Sequence, residues 1–450
     1  MLKIHVIRQG GHHYYVDDLV PGRAEGTLVA GESPGAWTGS GATALGVAAA
    51  VEATAFGEVL EGRLPRWGTS LRAIRADRSV AGFDLTFCAP KSVSILHLLA
   101  PGEIAGQVGD GHHAAVTEAI DYLQRSAVGV RRTREGHLAP MPSTGMVAAT
   151  FVHRTSRALD PHLHSHLVVA NVAEGVDGAW STVDSKRIFA HLRAAGAVYH
   201  ARLRWELSER IGAAWEVPTT GLGDVVGVEA RMRHLYSQRT AAVEEYVMRR
   251  HGPRRAAFHA TRPEKDRGRT VESLEAEWRQ RAADFGYDLG DLTRVVGRRR
   301  EAATLPEIDR GRVWDRLERL AAGRRSLAHR DVVAVLADAS TAGTRAQVLE
   351  SVATRLLAGS GEAMHPATSE TTGPGRIRAE WSCQPRLAAA ELVRFVEGQP
   401  GELASLAEPG RWGRSMDGPG VGRDGDRRAR DGMDARSLEE DRVVDAQLGR

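Results

Sequence analysis

Four histidines fall within fourteen positions of the stretch FVHRTSRALDPHLHSHLVVAN: His153, His162, His164 and His166. The last three alternate, and residues two apart on a β-strand project from the same face. The flanking runs, GMVAATFVHR (145–154) and HLHSHLVVANV (162–172), read as strands, and the polar TSRALDP between them is short. The stretch is therefore expected to be a β-hairpin, which brings His153 alongside the other three. A chain built this way gathers imidazoles on one face of a sheet. Three neutral imidazoles converging on a point can hold a divalent cation and leave coordination positions open.

The rest of the chain supplies a setting for that hairpin. Residues 1–9 read as a strand with Leu2, Ile4 and Val6 alternating, and 81–90 as a strand with Phe83, Leu85 and Phe87 on one face. A Gly-rich stretch, 22–46, separates the first strand from helical spacing. KSVSILHLLA, residues 112–128, 186–212, 228–251 and 271–285 read as helices, with 186–212 strongly periodic. These elements predict an α+β fold with a central antiparallel sheet and flanking helices. Residues 295–303 are a candidate linker, and 311–358 carry two or three short helices. Residues 358–379 and 398–450 are rich in small and charged residues and poor in large apolar ones, a composition that favours disorder.

Composition removes several classes. The two cysteines, Cys88 and Cys383, exclude a disulfide scaffold and a multi-Cys zinc module. Lys and Arg total 60, of which only Lys3, Lys91, Lys186 and Lys265 are lysines. They follow Leu2, Pro90, Ser185 and Glu264, so the Gly-Lys pair of a phosphate-binding P-loop is absent and no ATPase or helicase activity is expected. No apolar run is long enough for a transmembrane helix, and MLKIHVIRQGGHHYY lacks a secretory signal, so a cytoplasmic protein without membrane insertion is expected.

Two further features bear on chemistry. Tyr14 and Tyr15 are adjacent near the N-terminus, and a phenol is a nucleophile toward phosphorus when its environment lowers its pKa. Asp84 lies in the otherwise apolar strand GFDLTF, where a buried carboxylate needs a partner. A metal-bound imidazole that donates its second N–H to a carboxylate would provide one.

The order Tyr pair, Asp strand, His cluster resembles the MobF family of conjugative relaxases, the TrwC type. The resemblance rests on Tyr14-Tyr15, then on Trp37, Gly39, Gly41, Ala42, Leu45 and Gly46. It continues through DLTFCAPKSVS from Asp84 to Ser94 and through His153 to Asn171. It extends through YSQR (236–239), Thr261, Arg262 and Lys265, and LEAEWRQRAADFG (274–286), covering about residues 1–300. What the resemblance implies is an HUH-type relaxase fold and a site- and strand-specific DNA nickase. Tyr14 matches the nucleophile, Tyr15 its neighbour and substitute, and Asp84 the acid that orients a ligand histidine. His153, His164 and His166 match three ligands of one divalent metal ion (Mg, Mn or Zn). His162 falls outside that triad. Arg157 matches a basic residue beside the site, and Lys91 a phosphate contact.

The implied partners are single-stranded DNA at an origin of transfer, relaxosome accessory proteins, a coupling protein and a separate helicase. The implied organisation is a relaxase domain over 1–300 and a small helical remnant of a helicase-type region over 304–358. A low-complexity, largely disordered tail over 359–450 follows, with a short helix near 385–397. A second tyrosine pair, present in many family members, is missing here, since no Tyr occurs between Tyr15 and Tyr122. A catalytically inactive DNA-binding remnant is the alternative reading. A rolling-circle replication initiator ranks below it, because there the tyrosine follows the histidines.

Overall fold

The computed structural model describes residues 2–11, 35–47, 50–65, 68–72, 79–216, 222–263, 269–297, 308–323, 326–359 and 386–388. Its centre is a five-stranded antiparallel sheet. The strands are β1 (Lys3–Arg8), β2 (Ala36–Thr38), β3 (Val80–Cys88), β6 (Ala148–Thr155) and β7 (Pro161–Ala170), in the order β1-β3-β7-β6-β2. The two strands expected as a hairpin, β6 and β7, pair antiparallel in register His153 with His164 and Phe151 with His166. On the other side of β7, Thr86 opposes His166 and Cys88 opposes His164.

Alternation divides the sheet into two unlike faces. Phe83, Leu85, Phe87, Leu163, Leu167 and Val169 point to one side and join the main hydrophobic core. That core is roofed by α3 (Lys91–Leu99), α4 (Gly102–Ser126) and α5 (Ser185–Ile211). Helix α5 is buried around most of its girth and ends at Gly212, whose left-handed φ of 63° closes the helix as glycine readily does. The opposite face carries Ile7, Val147, Ala149, Phe151, Val168 and Ala170, packed on Phe56, Val59 and Leu60 of α2 (Ala53–Leu60). Trp37 and Phe151 both meet the Phe56 ring edge-on. The histidines continue this second face beyond Phe151, so the imidazole cluster borders an apolar cluster.

Several elements went unread in the sequence. Residues 129–142 form a two-stranded ribbon, β4 (Gly129–Arg134) and β5 (His137–Pro142), turning at Glu135 and Gly136, both with positive φ. Another small pair, β8 (Ala173–Glu174) and β9 (Trp180–Ser181), packs beside it. The stretch expected as one helix over 228–251 breaks into α6 (Ala230–Leu235) and α7 (Gln238–Arg250). Next come α8 (Arg254–Ala260), α9 (Val271–Asp284) and a 3-10 turn at Leu289–Val295.

The described residues of 308–359 do not stand apart from this body. Helices α10 (Arg310–Ala321), α11 (His329–Ala339) and α12 (Ala346–Gly359) bury Val313, Leu317, Val333, Leu336, Leu349 and Val352 in the main core. The contact with α5 is close. Arg204, only 2% exposed, donates from Nε and a terminal nitrogen to the Ser340 carbonyl at 3.2 and 3.0 Å and to the Ala337 carbonyl at 2.8 Å. A cation there meets the negative end of the α11 dipole. Glu118 of α4 accepts the Ala346 N–H at the start of α12. Within the expected helix near 385–397, Arg386–Ala388 instead form strand β11, paired antiparallel with β10 (Ser326–Ala328), which satisfies backbone groups of both segments. The remainder of the expected tail, and the candidate linker from 298 on, lie outside the described residues.

Candidate metal centre

Strand parity places His162, His164 and His166 on one face of β7, and the register with β6 adds His153. Three of the four converge. The ring centroids of His153, His164 and His166 lie 5.2 to 5.3 Å apart, a nearly equilateral triangle. Their candidate ligand nitrogens all fall within 4.8 Å of one another. His162 turns aside and stacks on the outer side of His164, centroids 4.7 Å apart and planes 30° from parallel.

Two ligand rings have their tautomers set by what they donate to. His166 Nδ1 donates to both oxygens of Asp84, at 2.9 and 3.0 Å, which leaves the Nε2 lone pair for a cation. Asp84 comes from β3 and is 5% exposed, so the carboxylate that needed a partner in an apolar strand has one. His164 Nδ1 donates to the His162 carbonyl at 2.9 Å, again freeing Nε2. Burial, with His166 next to it, pulls the His164 pKa down to about 3, so its ring is neutral at ordinary pH. Burial likewise holds the His162 pKa well below the usual range. A set of three imidazole nitrogens suits a borderline divalent ion such as Zn better than Mg, and being uncharged it does not cancel the charge of the ion.

The register slips between His153 and Thr155: His162 and Leu163 of β7 together oppose Arg154 of β6, a bulge in β7 that breaks the ladder just before His164. Other elements hold the strand there. Asp160, 1% exposed, accepts from the Gln238 backbone and side-chain nitrogens at 2.8 Å each, and from Arg281 at 3.4 Å. Trp278 Nε1 donates to the Leu159 carbonyl at 2.8 Å, and the Tyr236 hydroxyl donates to the Trp278 carbonyl at 2.6 Å. Thus α7 and α9 clasp the hairpin turn. Asp160, Gln238 and Trp278 fall in segments that carry the family resemblance but have no assigned role of their own in the sequence. The Asp-Pro pair in the turn was the available signal.

The remaining expected site residues scatter. Arg157 is half-buried in the turn; it and Arg262 add to burial in lowering the pKa of Arg239, so three guanidinium groups neighbour one another there. Lys91, the first residue of α3, donates from Nζ to the Pro161 carbonyl at 2.6 Å rather than standing in open solvent. Cys88 opposes His164 but is outside the triad, and burial raises its thiol pKa. Tyr14 and Tyr15 lie outside the described residues.

Comparison with known proteins follows the same segment. The family model described as TrwC relaxase matches residues 8–285. The multifunctional conjugation protein TraI of Escherichia coli is 30% identical over 319 residues. That match takes in 68% of this chain, which spans 17% of the length of TraI. Among solved structures, the conjugative relaxase TrwC in complex with oriT DNA, in its metal-bound form, is 28% identical. It has a TM-score of 0.56 and covers 64% of this chain and all of that one. TrwC complexed with a 27-mer DNA comprising the recognition hairpin and the cleavage site is 26% identical, with a TM-score of 0.54 over the same shares.

Proposed function

The chain belongs to the TrwC relaxase family, and from that premise we propose that it is a metal-dependent relaxase. It would nick one strand of DNA at an origin of transfer by tyrosine transesterification and so begin conjugative transfer. The observation that carries this reading is the imidazole triangle with its Asp84 partner. An inactive remnant would have no need to keep a buried carboxylate aimed at one ring and a carbonyl aimed at another.

His153, His164 and His166 would hold the ion, and Asp84 and the His162 carbonyl keep two of the rings turned toward it. A divalent cation bound there supplies positive charge to a non-bridging oxygen of the scissile phosphate. The Tyr14 phenolic oxygen bonds to phosphorus and its proton passes to solvent. The bond to the departing 3′-oxygen breaks, and that oxygen takes a proton and leaves as a hydroxyl. The product is a 5′-phosphotyrosine, which conserves the phosphodiester for rejoining. Tyr15 is the neighbouring phenol, and Arg157, near Arg239, would meet a phosphate of the bound strand.

The reading carries further parts. Residues 1–300 are the relaxase proper and 304–358 a helicase-type remnant, whose described residues pack against it. A separate helicase, accessory proteins and a coupling protein act with it in the cytoplasm. Incubating the protein with a single-stranded origin oligonucleotide and Mn²⁺ should yield an SDS-resistant protein–DNA adduct that Tyr14→Phe abolishes. An adduct that persists in both Tyr14→Phe and Tyr15→Phe would overturn the assignment.

A further inference from the structure

The sequence suggested Lys91 as a phosphate contact, and its surroundings point elsewhere. Four hydrogen bonds converge on the three residues of β7 that precede His164. Lys91 Nζ donates to the Pro161 carbonyl at 2.6 Å. The Leu163 N–H donates to Ser94 Oγ at 3.0 Å, and Ala89 N–H donates to the Leu163 carbonyl at 3.0 Å. Between them the His162 carbonyl accepts the His164 ring N–H at 2.9 Å. This is where β7 bulges, with His162 and Leu163 opposite Arg154 alone, so the ladder to β6 holds only the pairs on either side, Pro161 with Thr155 and His164 with His153.

The anchor itself is held. The Ser92 N–H and hydroxyl donate to Asp224 at 3.2 and 2.6 Å, and the Val225 N–H donates to Ser92 Oγ at 2.9 Å. The first turn of α3 is thereby tied to the 222–228 loop. Ser94 Oγ donates back to the Pro90 carbonyl at 3.1 Å. One residue earlier, Asp160 is held by Gln238 and Arg281. An ammonium that spends a short bond on a backbone carbonyl is a strut, with fewer donors left for a phosphate.

We propose that Lys91 is a positioning residue for His164. With Ser94 it fixes the Pro161–Leu163 backbone, so that the His162 carbonyl keeps the His164 ring turned with Nε2 into the triad. The proposal rests on the triad being a metal site, since it assigns Lys91 to that site's geometry. Groups that hydrogen-bond directly to a metal ligand typically change metal affinity by about 10–100-fold when removed, and Lys91 acts one step further out, so the lower end of that range is expected.

The test is calorimetric titration of Mn²⁺ into the DNA-free full chain, with thermal melts alongside. Lys91→Met keeps the aliphatic stem and removes the donor; it should weaken Mn²⁺ binding about tenfold. Lys91→Arg, which restores a cationic donor, should recover most of that loss. Unchanged Mn²⁺ affinity in Lys91→Met overturns the proposal. If that variant also binds oligonucleotide more weakly in EDTA, with a shallower salt dependence, Lys91 is a phosphate contact instead. Should Lys91→Met fail to fold, Ser94→Ala decides: a similar weakening supports the strut, and wild-type affinity refutes it. His164→Ala separates the two readings. If it binds Mn²⁺ as wild type does, the metal site itself is wrong. If it abolishes binding while Lys91→Met leaves it intact, only the strut falls.

Discussion

Replacing Asp84 by Asn removes one charge and keeps the volume. In the wild type both carboxylate oxygens accept from His166 Nδ1, at 2.9 and 3.0 Å, in a site 5% exposed. An amide offers one acceptor and one donor. If its nitrogen faces the ring, the imidazole proton is driven to Nε2 and the ligand lone pair is lost. If its oxygen faces the ring, the tautomer survives but the charge that makes the imidazole a better donor is gone. Loss of such an outer partner typically weakens metal binding 10–100-fold, or about 1.4 to 2.7 kcal/mol. A charge-assisted hydrogen bond contributes about 1.5 to 3 kcal/mol, the same order. Asp84→Asn should therefore bind Mn²⁺ 10- to 100-fold more weakly and form the covalent DNA adduct slowly at limiting metal. Saturating metal should recover much of the adduct. A variant with wild-type Mn²⁺ affinity and adduct formation would show that Asp84 serves only the strand, and would refute the reasoning.

Two further outcomes follow from the packing. Gly343→Ala should lower stability by about 3 kcal/mol, since φ is +80° and a Cβ would lie 2.0 Å from the Ala201 carbonyl oxygen and 2.5 Å from the Trp205 nitrogen. Thermal melts should show a clear drop, and an unchanged midpoint would mean that 308–359 is not seated on α5. His112 is buried between the Tyr199 hydroxyl at 2.9 Å and Ser165 Oγ at 2.8 Å, and burial lowers its pKa to about 3. A base with a depressed folded-state pKa makes the unfolded chain the better proton binder below about 6.5, so the stability it contributes is present above that pH and is lost as pH falls toward 3. Urea unfolding between pH 6 and 4 should lose about 1.4 kcal/mol per pH unit for this group, and His112→Gln should flatten the slope by about one proton; an identical slope in the variant would count against it.

The sequence by itself determined the parts of this protein that rest on local periodicity. A period of two fixes His162, His164 and His166 to one face, and a short polar turn fixes His153 opposite them. Asp84, a charge inside an apolar strand, had to find a partner, and His166 is close at hand across β3 and β7. Helix α5 was legible from its apolar spacing. The tertiary structure decided what depends on residues far apart in the chain. Parity cannot separate His162 from the triad; its stacking on His164 and its place in the β7 bulge opposite Arg154 do. Lys91 meets Pro161 across 70 positions, and Trp278 meets Leu159 across 119. Arg204 meets Ser340 across 136, which joins 308–359 to the relaxase core rather than leaving it beyond a linker. Such pairings leave no periodic trace. Each is selected because a buried carbonyl, carboxylate or guanidinium must be satisfied once the chain has closed around it.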